Sequence, residues 1–238
     1  MITTLLFDYG GTLDTAACHW AYVLQEGYDH AHIELADQDF RNAYVYAERA
    51  LAKSPVIQPT DTFKQLLLKK VNLEFLYLEE NGIHAFASES ERQEKVEAVA
   101  SWCDSFARSH VEASGQVLES LKKKGYHLVM VSNFYGNLHT ILEDYGIAPY
   151  FSAVVESAVA GVRKPDPAIW ALGIKAAGCL PEEAAAIGDS YGKDILPARE
   201  AGCGCTIWFK GREWEEKQRD ESLPTHIITD LNQLLGIL

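Results

Sequence analysis

No apolar run in this 238-residue chain is long enough to cross a bilayer, which argues against a helical membrane protein. The stretch 2–7 is apolar, but it is too short for a secretory leader and ends at Asp8, so a cytoplasmic location is expected. Basic residues are scarce. Lysine and arginine number 21 against 34 aspartates and glutamates, a formal net charge of -13. That balance argues against nucleic acid or an anionic membrane as partner, since both demand a basic surface. It leaves room for a small anionic substrate held by a local basic site. Cys-x-x-Cys spacing is also missing. Cys18, Cys103, Cys179, Cys203 and Cys205 are odd in number and read as free thiols in a reducing compartment. Cys203 and Cys205 flank Gly204 and precede an apolar run, so strand packing is the expected role rather than a metal pair. There is no internal repeat and no low-complexity segment.

What is present is an alternation of short β-prone runs and amphipathic helices. Residues 2–7 form an apolar run ending in Asp8-Tyr9-Gly10-Gly11, the pattern of a buried strand followed by a tight loop. From about 15 to 109 the spacing is helical. Phe63, Leu67, Val71, Phe75 and Leu78 recur every three or four residues, with Gly82 as the stop. Ser88 and Glu91 have capping-box spacing ahead of Val96, Val99, Cys103 and Phe106. Asp37 is expected to cap a helix through Ala47. From about 110 onward strands alternate with helices: strands at 126–131, 153–156, 184–187, 205–209 and 226–229, and helices ending near Gly125 and Leu142 and over 167–177, 194–201 and 231–238. The stretch 211–224 reads as a surface loop or short exposed helix. Such alternation implies a parallel sheet covered by helices. The expected fold is α/β, a Rossmann-like parallel sheet flanked by helices and interrupted by an inserted all-helical cap. Residues 1–14 with 110–238 make the core and 15–109 the cap. Ligands of open α/β sheets bind beyond the carboxyl ends of the strands, so Asp8, Ser132 and the Gly188-Asp189 turn are expected at one edge.

Four separated motifs stand at those strand ends or adjacent loops. They are Phe7-Asp8-Tyr9-Gly10-Gly11-Thr12-Leu13; Val129-Met130-Val131-Ser132-Asn133; Lys164 within Arg163-Lys164-Pro165-Asp166-Pro167; and Ile187-Gly188-Asp189-Ser190 with Asp194 five residues after Asp189. In this order they resemble the haloacid dehalogenase-like hydrolase superfamily. The resemblance implies that Asp8 is the nucleophile and forms a covalent ester. It implies that Ser132, with backbone amides after Asp8 (Tyr9, Gly10) and at Asn133, cradles a phosphoryl group. Lys164 would offset charge on Asp8 and the transferring group. Asp8, Asp189 and the carbonyl of Gly10 would hold Mg²⁺, a hard cation that prefers oxygen ligands, with Asp194 supporting the site directly, through water or through Lys164.

Gly10 departs from the common phosphatase pattern, which has a second aspartate two residues after the nucleophile as general acid and base. Gly10 keeps a carbonyl for a metal but supplies no proton. The expected activity is a Mg²⁺-dependent phosphatase of a small phosphorylated molecule. Two alternatives remain: a weakly active or non-catalytic binder of phosphorylated ligands, and a dehalogenase- or phosphonatase-type enzyme. Asp14 and His19, just past the loop, are candidate replacement acids, and Lys53 is the cap lysine for a phosphonatase-like Schiff base. Both acids read more readily as polar residues entering the first cap helix, and Lys53 as an exposed helix-end lysine.

Overall fold

The computed structural model describes residues 1–54, 56–214 and 217–238. Strand β1 (Thr4–Phe7) is followed by four helices, α1 (Trp20–His30), α2 (Asp37–Lys53), α3 (Phe63–Glu80) and α4 (Glu89–Lys123). The chain then runs through β2 (His127–Ser132), α5 (Leu138–Asp144), β3 (Ala153–Glu156), α6 (Ser157–Ala160) and α7 (Ala168–Ala177). It closes with β4 (Ala184–Gly188), α8 (Leu196–Glu200), β5 (Cys205–Phe209), β6 (His226–Ile228) and α9 (Leu234–Ile237). The strands form one parallel sheet in the order β3-β2-β1-β4-β5-β6. Every residue of β1 and β4 is buried. This is why these strands read as continuous apolar runs rather than alternating ones.

Sheet order places the site. Successive strands step outward from β1 through β2 to β3 on one side and through β4 and β5 to β6 on the other. Connections of opposite sense leave a crevice at the carboxyl ends of β1 and its neighbours, the switch point of an open sheet. Phe7 lies level with Met130 and Ile187, so the residues just beyond them share one edge. Helix α7 packs close on this sheet because Gly173 has no side chain; a Cβ there would lie 2.6 Å from Val131 Cγ2.

The helical insertion between β1 and β2 follows from the amphipathic spacing. Phe63, Leu67, Val71, Phe75 and Leu78 are all buried on one face of α3. That helix ends where Gly82 takes the left-handed conformation (φ 65°), as a C-terminal glycine does. Ser88 caps α4 by accepting from the Glu91 amide. Asp37 is not the cap of α2. The cap position is Ala36, which makes no side-chain hydrogen bond, while Asp37 occupies the first turn, where a carboxylate favours the helix dipole. The helix also runs on past Ala47 to Lys53. Helix α4 passes residue 110 without a break and ends only near Gly125 (φ 94°). No helix among the described residues is long and apolar enough to cross a membrane.

Candidate active site

Asp8 is the first residue beyond β1 and is almost buried, with its amide bonded to the Ile187 carbonyl. Its carboxylate is fully engaged. Oδ1 accepts from Ser132 Oγ at 3.1 Å and from Lys164 Nζ at 2.6 Å. Oδ2 is 3.0 Å from Thr12 Oγ1. Ser132 comes from the end of β2, and Lys164 from the loop between α6 and α7.

Lys164 is itself buried, a rare situation for lysine that requires paired charge. Its ammonium bridges Asp8 and Asp194 Oδ1 at 2.7 Å and lies 4.6 Å from the Trp170 ring centroid. Burial alone pulls its pKa down, but the two carboxylates outweigh that and hold it above the ordinary value. Asn133 fixes the lysine's backbone through a reciprocal pair: its amide nitrogen donates to the Lys164 carbonyl at 3.0 Å, and its oxygen accepts from the Lys164 amide at 2.8 Å.

Asp189 and Asp194 flank the turn after β4. The Asp189 carbonyl is held by Trp208 Nε1 of β5 at 2.9 Å, and its amide donates to Thr12 Oγ1 at 3.1 Å. Asp194 Oδ2 accepts from the Ser190 amide at 2.9 Å. Two glycines make room for these carboxylates. A Cβ on Gly188 would fall 2.4 Å from Asp194, and one on Gly11 would fall 2.6 Å from Asp189 Oδ2, where φ is already +98°. A Cβ on Gly10, by contrast, would meet nothing within 4 Å.

Asp8, Asp189 and Asp194 each present an oxygen, all within 4.8 Å of one another. Lys164 pairs with two of these three acidic groups, Asp8 and Asp194. Burial, then the charges of Asp194 and Asp8, hold the Asp189 carboxyl well above the usual range. Asp194 is pushed up to about 6 by burial, with Lys164 working in the other direction. Excess negative charge on hard oxygens is the donor set a divalent cation such as Mg²⁺ satisfies.

The crevice opens into a cavity of about 640 Å³ whose far wall comes from the helical insertion. There Lys70 pairs with Glu48 Oε1, while Tyr135 donates to Glu48 Oε2 at 2.9 Å. The Lys70 ammonium also lies 4.1 Å from the Tyr44 ring centroid.

The sequence-derived residues Asp8, Ser132, Lys164, Asp189 and Asp194 are thus brought together. Gly10 and Asn133 line the same cavity. The Tyr9 side chain does not, since its ring is fully buried against Phe134 and its hydroxyl lacks a partner. Lys53 is exposed at the end of α2 and is not part of the lining. Thr12 is the residue that motif reading passed over. Its one hydroxyl touches both Asp8 and Asp189 (3.2 Å), and its signal was its place four residues after the nucleophile.

A family model for haloacid dehalogenase-like hydrolases matches residues 2–202. The chain belongs to that family. Curated relatives include the haloacid dehalogenase-like hydrolase domain-containing protein 3 of Bos taurus, 33% identical over 128 residues (54% of this chain and 51% of that protein). A glyceraldehyde 3-phosphate phosphatase of Pyrococcus furiosus is 33% identical over 137 residues (54% of each). A phosphoserine phosphatase of Thermus thermophilus is 37% identical over 107 residues (44% of this chain and 43% of that protein). The family member described here spans about half the length of these relatives. Among solved structures, the HAD-hydrolase YfnB from Bacillus subtilis shares the fold over 100% of this chain and 98% of its own, with a TM-score of 0.58 and 20% identity. The L-2-haloacid dehalogenase RSc1362 does so over 99% and 98%, with a TM-score of 0.61 and 18% identity. The family is one of hydrolases, and phosphatases stand among its relatives here.

Proposed function

We propose that this protein is a Mg²⁺-dependent phosphoric monoester hydrolase acting on a small phosphorylated metabolite through an aspartyl-phosphate at Asp8. The observation that carries the reading is the constellation around that carboxylate: Ser132 and Lys164 on one oxygen, with Asp189 and Asp194 beside it. An oxygen of Asp8 attacks phosphorus. Ser132 and the backbone amides of Tyr9, Gly10 and Asn133 bind the phosphoryl oxygens, and Lys164 offsets the charge gathered there. Asp8, Asp189, the Gly10 carbonyl and Asp194 would hold Mg²⁺, which supplies charge neutralisation at the phosphoryl group. Residues 15–109 act as the cap and 1–14 with 110–238 as the core, with α4 belonging to both. Five free cysteines support a cytoplasmic location.

Two readings compete. Gly10 and the open space beside it favour a phospho-ligand binder with little turnover. A metal-free dehalogenase or a Schiff-base phosphonatase is less well supported, because two further carboxylates crowd the nucleophile and Lys53 is not part of the cavity lining. A screen of phosphorylated metabolites with Mg²⁺ decides between them. Turnover that vanishes in Asp8→Asn is expected. No turnover above that variant on any phosphate ester or acyl phosphate would sink the hydrolase reading.

A further inference from the structure

Among the described residues, the cavity lining offers no side chain placed to exchange a proton at the reacting oxygens, once the carboxylates around Asp8 are assigned to the cation. At Gly10, where a carboxyl could project, there is open space. The groups nearby that could stand in are each committed elsewhere. Asp14 is completely buried, with Oδ1 taken by the Gly11 amide (2.7 Å) and Oδ2 by Trp20 Nε1 (2.9 Å), and it is not part of the cavity lining. His19 does line the cavity, but its Nδ1 accepts from the Ala21 amide at 3.1 Å. Burial, with help from Lys193 and Lys70, lowers its pKa to about 4. The neutral ring therefore carries its proton on Nε2 and has its one basic lone pair already occupied. It can donate a hydrogen bond, but it cannot take a proton from water.

The cap wall is equally committed. Both oxygens of Glu48 are held, by Lys70 and by Tyr135. Burial pushes that carboxyl up, but Lys70 and the two hydrogen bonds outweigh it and keep it ionised. The Tyr44 and Tyr135 phenols are driven up by burial and by Glu48, so neither gives up a proton near neutrality. Glu213 at the rim has one oxygen paired with Arg219 at 2.8 Å, while the other is buried without a hydrogen-bond partner among the described residues and closed off from solvent. Lysine and arginine keep their protons near neutral pH unless desolvation strips them, and Glu48 holds Lys70 protonated.

Chemistry without a proton relay is selective. We propose that the substrates are acyl phosphates, and that Asp8 holds the transferred phosphoryl group as a long-lived aspartyl-phosphate. The inference rests on the reading of Asp8 as nucleophile. In the first step a carboxylate oxygen of Asp8 forms a bond to phosphorus, and the bond from phosphorus to the acyl oxygen breaks. The leaving group departs as a carboxylate with the bonding pair and needs no proton. One mixed anhydride is exchanged for another, and no charge or proton is left over. An alkyl ester would have to expel an alkoxide, which requires the missing acid. In the second step water adds to phosphorus, Asp8 leaves as a carboxylate, and the proton lost by water goes to solvent. With no base to take that proton, this step is slow and the phosphoenzyme accumulates.

The test is to incubate the protein with Mg²⁺ and acetyl phosphate, or with ethyl phosphate, and follow intact mass and phosphate release. With acetyl phosphate, one added phosphoryl group is expected on wild type and none on Asp8→Asn; borohydride, which reduces the aspartyl-phosphate to homoserine and releases phosphate, should mark Asp8. Its decay after donor removal should be flat with pH across neutrality. Acetyl phosphate should exceed ethyl phosphate in kcat/KM by at least ~100-fold, the low end of what general acid catalysis contributes. Gly10→Asp should shorten the phosphoenzyme lifetime by about 10²-fold or more and raise ethyl phosphate turnover by a similar factor. Equal turnover of both donors with no accumulated phosphoenzyme overturns the inference and leaves the phosphatase reading standing. A decay rate with an inflection near pH 7 means that a titrating side chain carries the proton, and also overturns it. If no phosphoryl group from either donor reaches Asp8, both readings fall.

Discussion

At the strand ends, three carboxylates crowd together, and the ammonium of Lys164 pairs with two of them, Asp8 and Asp194. Across the same cavity, the cap wall sets one carboxylate against one ammonium, with Tyr135 on the remaining oxygen. The floor carries excess negative charge, whereas on the wall the carboxylate of Glu48 already has Lys70 as partner, with Arg41 also in the lining. Folding alone gains nothing from crowding like charges in a buried place, because desolvation and repulsion both oppose it. Such an excess persists where a ligand completes it, so the floor reads as machinery and the wall as a shaped surface whose carboxylate is already paired.

The sharpest way to break that contrast is to remove each lysine. Lys164→Met leaves Asp8 and Asp194 buried without a counter-charge and should cost about 3–5 kcal/mol near neutral pH without Mg²⁺. Added Mg²⁺ should restore part of it. Lys70→Met leaves one carboxylate that is more than a third exposed and still bonded by Tyr135, so about 1 kcal/mol is expected. Urea melts of the two variants give the comparison. Equal losses would mean that the floor is no more strained than the wall.

Adjacent glycines sharpen it next. Gly188→Ala drives a methyl into the Asp194 carboxylate, and a loss of about 2–3 kcal/mol is expected, as for an overpacked site. Gly10→Ala enters open space two residues from Asp8 and should change the melting temperature little. If both variants melt alike, the floor is looser than its distances imply.

The strand-end residues were legible in the sequence for a geometric reason. A parallel sheet puts the carboxyl ends of all its strands at one edge, so naming Asp8, Ser132 and Asp189 as strand ends already assembles them. Lys164 and Asp194 followed from adjacent motifs. What stayed hidden depends on side-chain direction or on docking of the insertion. Tyr9 turned inward, so its ring left the site while its backbone stayed. Asn133 spends its side chain on the lysine loop rather than facing the cavity alone. Nothing in local spacing pairs Glu48 with Tyr135, 87 residues apart. The continuity of α4 shows only in the structure, where one helix packs against α1 and α3 of the insertion and also against β2 and α9.

Glu74 tests whether strained charge by itself marks a site. It is completely buried on α3, its Oε2 accepts from Tyr28 OH at 2.7 Å, and its Oε1 has no partner. Burial raises its pKa from 4.5 to about 7, against the pull of Lys70. Because the folded value lies above the unfolded one, the folded chain keeps a proton that the unfolded chain releases between them. Stability tied to this group is therefore fully present below about 4.5 and lost as pH rises through about 7. Glu74→Gln fixes the neutral form. It should stabilise the protein by about 1–2 kcal/mol above neutrality, less than the ~1.4 kcal/mol per pKa unit would allow in full, and change little in mild acid. Thermal melts of both proteins across that range measure the difference. Unchanged turnover alongside a raised melting temperature would separate the two kinds of strained charge. The one in the cap interior would then be a cost of packing, and the one at the strand ends would owe its meaning to its position at the sheet's switch point rather than to strain.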